Sequence, residues 1–256
     1  MVVALLAGGC GASEAAPSGR DHATLTVLGA ASLSRVLPQI GRLFTHEHPG
    51  VTVRFAFGGT DLLTAQVEQD ARADVFAGAS ETYGARLFAE RLVGQPKAFC
   101  TNRLVLIVPP SDPAGIDSLL DLATKNVRLV IGSPTVPVGA YTRTALKNLD
   151  ASFGAGYSTK VLSHIVSNEL DVESVLTKVR TGEADAGFVY VTDATAARPA
   201  VRSIALPPQA EAVAAYTLAV LDASPHRRLA QALVDLVLSP AGQRILRQAG
   251  FGPPPA

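Results

Sequence analysis

The chain of 256 residues has no excess of either charge, no long apolar run and only two cysteines. Lysine plus arginine number 22, as do aspartate plus glutamate, so the formal net charge is zero. Nucleic-acid binding draws on clustered cations that displace counterions from phosphates, so no nucleic-acid partner is expected. A polybasic membrane-surface module is disfavoured on the same ground. Neutrality leaves an anionic ligand open, because backbone N–H groups at helix starts bind anions without a cationic side chain. No stretch is long enough to cross a bilayer, and no internal repeat of fixed period is present.

The motifs of catalysis are also missing. There is no Gly-X-Ser-X-Gly elbow, no P-loop or dinucleotide fingerprint, and no Cys/His cluster at metal spacing. The five histidines, His22, His46, His48, His164 and His226, are scattered. In His46-Glu47-His48 the two imidazoles diverge on a helix, so a solvated helix end is expected there. No metal site, cofactor or enzymatic activity is expected.

Of the two cysteines, Cys10 ends an apolar opening, Met1 to Gly9. The small residues before it are similar to a lipoprotein processing box, in which the cysteine thiol carries a diacylglyceryl group. Ala7 stands where that box usually has leucine, and the run has no positively charged n-region, which leaves the natural start of the chain open. Residues 11–19 are small and polar, as in a flexible tether. With Cys10 acylated, Cys100 has no partner and is expected to be a buried apolar thiol, without a disulfide.

What the chain has is apolar content, 48% of residues, enough for one large core or two modest ones. Strand-like and helix-like segments alternate from about Ala23. Strands are expected at 25–28, 51–57, 74–77, 104–108, 128–131, 161–164, 186–190 and 216–221. Helices are expected at 33–44, 62–69, 83–91, 117–123, 139–148, 172–180, 225–238 and 240–248, with a bend at Pro38. This order implies an α/β fold of mostly parallel sheets flanked by helices. The apolar strands near 104–108 and 216–221 are candidate connections between two lobes.

Ligands in open α/β sheets bind at the carboxyl ends of strands, in the turns that open the next helix. Four such turns stand out: Gly29-Ala30-Ala31-Ser32, Gly58-Gly59-Thr60-Asp61, Pro137-Val138-Gly139-Ala140 and Leu170-Asp171-Val172-Glu173. Each offers free N–H groups where the helix dipole favours an anion. Taken singly, Ser, Thr and Asp at such positions are ordinary N-caps worth about 1 kcal/mol. Tyr190, at the end of an apolar strand, is by itself a half-buried tyrosine with its hydroxyl in water.

As a series, these segments resemble the periplasmic molybdate-binding proteins of ABC transporters. The matching motifs are Ala30-Ala31-Ser32-Leu33, Phe57–Leu62 followed by Gln66-Val67-Glu68, Ala73-Asp74-Val75-Phe76, Val136-Pro137-Val138-Gly139-Ala140-Tyr141, Asp171-Val172, Gly182–Ala194 and the terminal Gly250-Phe251. They cover residues 24–252. The resemblance implies a two-lobed periplasmic-binding-protein type II fold with the ligand in the inter-lobe cleft. Residues 1–22 would be a signal remnant and tether, 23–103 with 217–256 the first lobe, and 104–216 the second.

The resemblance further implies a monomeric, extracytoplasmic lipoprotein that hands its ligand to a membrane permease. Its site would hold molybdate or tungstate through Ser32 and Thr60 from one lobe and Val138, Val172 and Tyr190 from the other. All of these are donors, which suits a fully deprotonated oxyanion. At Thr60 the family usually has serine, and Asp61 adds a carboxylate close by; an outward direction is expected for it, with the early-helix charge favourable. Sulfate or phosphate on the same fold is the nearest alternative, and the ligand-sensing half of a regulator a more distant one.

Overall fold

The computed structural model describes residues 22–255. The first strand, β1 (Ala23–Ala30), pairs in parallel with β2 (Val51–Gly58) on one side and β3 (Val75–Gly78) on the other. Next to β3 runs β9 (Val213–Val220), antiparallel, and next to it β4 (Lys97–Val108), also antiparallel. Up to Arg103, β4 pairs with β9; from Leu104 it pairs with β7 (Ala186–Tyr190) and β8 (Arg202–Ala205). The parallel strands β5 (Leu129–Gly132) and β6 (Ile165–Glu169) complete the sheet beyond β7. The order is β2-β1-β3-β9-β4-β7-β5-β6, with β8 paired to β4 off this path.

Helices follow the parallel strands. After β1 come α1 (Leu37–Glu47), after β2 α2 (Thr60–Glu68), and after β3 α3 (Glu81–Ala89). The second half carries α4 (Asp121–Thr124), α5 (Pro137–Phe153), α6 (Tyr157–Leu162), α7 (Val172–Arg180) and α8 (Val191–Ala196), and the chain closes with α9 (Arg227–Leu238) and α10 (Pro240–Gln248). Each long helix buries one stripe. On α7 it is Val172, Val175, Leu176 and Val179, the spacing that a 3.6-residue period places on one face. β3, β5 and β7 are buried throughout, as expected of strands covered on both faces. A second cluster, with Leu28, Leu63, Phe76 and Leu87, fills the other side of β1 and β3.

The α/β alternation is as expected, but several local expectations are corrected. Pro38 does not bend a helix. The stripe divides into a 3-10 turn, Ala31–Leu33, and α1, which starts at Leu37 and so places Pro38 in the first turn, where its missing N–H costs nothing. Residues 161–162 end α6, and the strand expected at 161–164 lies at Ile165–Glu169. Val161 is β-branched, yet it is fully buried on a helix turn, so packing overrides its strand preference. The helix expected at 117–123 is the single turn α4. The sheet is mixed, because β4, β8 and β9 run antiparallel to their neighbours. The short elements β8, α6 and α8 were not expected. Cys100 lies on β4, fully buried with a free thiol. Cys10 and residues 1–21 lie outside the described residues.

A cavity at four helix starts

The carboxyl ends of β1, β2, β5 and β6 all point toward one cavity of about 20 Å³. From β1 the chain enters the turn that holds Ser32; from β2 it passes Gly58 and Gly59 into Thr60, the first residue of α2. β5 leads to Val136-Pro137-Val138 at the start of α5, and β6 to Asp171-Val172 at the start of α7. Tyr190, the last residue of β7, completes the wall. All five residues singled out in the sequence, Ser32, Thr60, Val138, Val172 and Tyr190, therefore line the same space.

The volume decides what class of ligand fits. One water needs about 10–15 Å³ on this scale, and organic ligands occupy pockets of several hundred. A cavity of about 20 Å³ is on the scale of one small ion rather than of a sugar, an amino acid or a peptide.

The side chains around it offer hydrogen-bond donors. The Thr60 hydroxyl oxygen accepts from the Ala79 N–H (3.1 Å), which leaves its own proton free to donate. The Ser32 hydroxyl lies 2.8 Å from the hydroxyl of Tyr216. The Tyr190 side chain is buried, and its hydroxyl has no partner among the described residues. Burial pushes the phenols of Tyr190 and Tyr216 well above their ordinary pKa, with Tyr141 and Asp193 adding to this at Tyr190 and Tyr190 and Asp193 at Tyr216, so both keep their protons. The first N–H groups of α2, α5 and α7 add backbone donors with the positive end of the helix dipole.

Among the described residues, no Lys, Arg or His lines the cavity. Asp171, the one lining carboxylate among them, accepts through its Oδ1 from the Ser174 N–H at 2.8 Å and caps α7. Beneath the site, the buried Asp193 accepts from the Tyr190 N–H at 3.1 Å, which fixes the turn after β7. Burial pushes the Asp193 carboxyl well up, assisted by the neighbouring Glu173.

Three contacts tie the two sides of the cleft. The Asp61 Oδ2 accepts from the Thr135 hydroxyl at 2.7 Å, Tyr83 donates its hydroxyl to the Thr135 carbonyl, and Arg35 pairs with Glu173 at 3.4 Å. Asp61 does not line the cavity; its carboxylate is turned to the Thr135 hydroxyl. At Gly59 the two sides also approach closely: a Cβ there would lie 2.2 Å from the Leu170 carbonyl oxygen. Gly139 is equally constrained, since a Cβ would lie 2.1 Å from the Ser133 carbonyl oxygen, and this lets α5 start directly on the end of β5.

Tyr216, Thr135 and Asp193 were not singled out from the sequence. Tyr216 reads there only as part of an apolar strand, and its hydroxyl contact with Ser32 spans 184 residues of chain. Thr135 stands in an ordinary polar turn. Asp193 was visible only as a member of the motif around Tyr190.

Comparison with known proteins agrees with this architecture. The family profile described as bacterial extracellular solute-binding protein matches residues 25–252. Molybdate-binding protein ModA of Mycobacterium tuberculosis is 38% identical over 257 residues, covering 99% of this chain and 95% of that protein. Among solved structures, the periplasmic molybdate-binding protein of Azotobacter vinelandii superposes with a TM-score of 0.76 at 21% identity, over 90% of this chain and 100% of that one. The sulfate-binding protein SubI of Mycobacterium tuberculosis superposes almost as well, with a TM-score of 0.75 at 19% identity over 91% and 87% of the two chains. At such identities the likeness speaks for the type II periplasmic-binding-protein fold and not for the anion. With a match from Leu25 to Gly252 and a full-length relative at 38% identity, the chain belongs to the family of bacterial extracellular solute-binding proteins.

Proposed function

We propose that this chain is the molybdate receptor of an ABC importer, and that it holds the anion by neutral donors alone. Ser32 and Thr60 donate their hydroxyls and backbone N–H groups from one side of the cleft. Val138 and Val172 donate backbone N–H groups, and Tyr190 its phenolic hydroxyl, from the other. Tungstate, of the same charge and shape, binds in the same way. The observation that carries this reading is the convergence of four helix starts and a buried, unpartnered tyrosine hydroxyl on a cavity of about 20 Å³.

The donor set favours a fully deprotonated tetrahedral oxyanion. A hydrogen phosphate would need an acceptor for its proton; the lining groups are N–H and O–H donors apart from Asp171, whose Oδ1 is held by the Ser174 N–H at the start of its own helix. Sulfate is the second reading, because a sulfate-binding protein shares the fold. The full-length relatives called molybdate-binding at 38% identity favour molybdate. In the proposed cycle, residues 23–103 with 217–256 form one lobe and 104–216 the other. The lobes close over the anion about β4 and β9, and the closed form, anchored through Cys10, delivers it to a membrane permease.

Ser32→Ala and Tyr190→Phe test the site directly. Each removes one donor to a buried anion and is expected to weaken molybdate binding by about 1–3 kcal/mol in calorimetry. Wild-type affinity in both variants would remove these residues from the site.

A further inference from the structure

Tyr216 lies on β9, outside the cavity lining, with no exposed surface. Its ring is held edge-on by Phe99 (centroids 6.2 Å), Phe251 (5.6 Å) and Tyr190 (6.0 Å), so it has little freedom to turn. Its hydroxyl has one hydrogen-bond partner among the described residues, the Ser32 Oγ at 2.8 Å. Geometry alone allows either oxygen to donate. The surroundings decide: a phenol that keeps its proton in a buried site must place it on an acceptor, and the Ser32 oxygen is the one within reach. The Ser32 oxygen then accepts from the Tyr216 hydroxyl, which leaves the Ser32 proton free to enter the cavity.

We propose that Tyr216 is a positioning residue that locks Ser32 as a hydrogen-bond donor to the bound oxyanion. Without that lock a serine hydroxyl rotates freely and can present either its proton or a lone pair. With it, Ser32 rejects an anion that carries a proton at that corner and is preorganised for one that does not. The inference rests on the proposed placement of Ser32 against the anion, and it assigns Tyr216 a part in selectivity without contact to the ligand.

A double-mutant cycle with sodium molybdate as the probe tests it: wild type, Ser32→Ala, Tyr216→Phe and the double variant, by titration calorimetry. Tyr216→Phe is expected to weaken binding about five- to twentyfold in the wild-type background and by less than about twofold when Ser32 is already alanine. Equal losses in both backgrounds would make Tyr216 a structural residue and overturn the proposal. Unchanged affinity in Ser32→Ala would instead sink the placement of Ser32, a different result from an unchanged Tyr216→Phe, which sinks the positioning role alone. If the phenylalanine variant fails to fold, proton exchange of the Tyr216 hydroxyl in 13C-tyrosine-labelled protein answers the same question. Slow exchange in wild type that becomes fast in Ser32→Ala supports the bond; slow exchange in both overturns it.

Discussion

The Asp61 carboxylate accepts a 2.7 Å hydrogen bond from the Thr135 hydroxyl, and so joins the start of α2 to the turn before α5 across the cleft. Its other oxygen, Oδ1, is buried without a partner among the described residues. In the proposed closed form the contact acts as a clamp and holds a poorly compensated carboxylate near the anion. These two effects separate by mutation. Thr135→Val removes the bond and keeps the charge, and it is expected to weaken molybdate binding by about 1 kcal/mol, expressed mainly as faster dissociation in stopped-flow. Asp61→Asn keeps an acceptor for Thr135 and removes the charge, and it should bind the dianion at least as tightly as wild type. A weaker Asp61→Asn would mean that the carboxylate assists binding.

Gly59 offers a test of closure that leaves the fold alone. Its backbone torsions, φ −61° and ψ 136°, suit any residue, so alanine brings no backbone strain. The obstacle is the Leu170 carbonyl oxygen, 2.2 Å from the added Cβ and on the opposite side of the cleft. Gly59→Ala is therefore expected to leave the thermal stability of the ligand-free protein within about 0.5 kcal/mol of wild type. Its affinity for molybdate should fall more than about tenfold, because the closed form cannot seat. A variant that unfolds early would place the Gly59–Leu170 contact in the ground state of the free protein as well.

Glu173 gives stability a pH dependence. Burial raises its carboxyl above the usual range, and Asp171 adds to this, while Arg35 and Arg180 oppose it; Asp193 is the further carboxyl facing it. Its Oε1 is buried without a partner, and the Arg35 pair across the cleft is half-exposed and worth little. A carboxyl pKa raised above its unfolded value means that folding favours the protonated group. That contribution to stability is fully present below the unfolded pKa and is lost as pH rises through the folded one. Thermal stability should therefore fall as pH rises through the raised carboxyl range, and Glu173→Gln should flatten that fall. A fall equally steep in Glu173→Gln would contradict the assignment.

The strands that were legible in the sequence are those buried on both faces, such as Leu104–Val108 and Val75–Gly78, because an unbroken apolar run bounded by turn residues has few other uses. β6 was not, and its burial explains why. Val166 is largely exposed on this edge strand while Glu169 is buried at its end, the reverse of the pattern a reader looks for. Glu169 is kept there by Lys178 at 2.7 Å and Ser167 at 2.5 Å, partners that periodicity cannot show. Around the cavity, the turns that hold Ser32, Thr60, Val138 and Val172 were legible because each follows a strand; singly they read as ordinary caps, and only their order along the chain drew them together. Tyr216 was not legible: its contribution depends on a contact with Ser32 made only once β9 lies beside β3 and β4.

The central claim is that a cavity of neutral donors selects a fully deprotonated oxyanion of molybdate size. Titration calorimetry of the fragment from Ala23 onward, with molybdate, tungstate, sulfate and phosphate in separate runs, tests it most directly. The account predicts tight one-to-one binding of molybdate and tungstate and no measurable heat with the other two at the same concentrations. Tight binding of sulfate or phosphate, with molybdate silent, would contradict it.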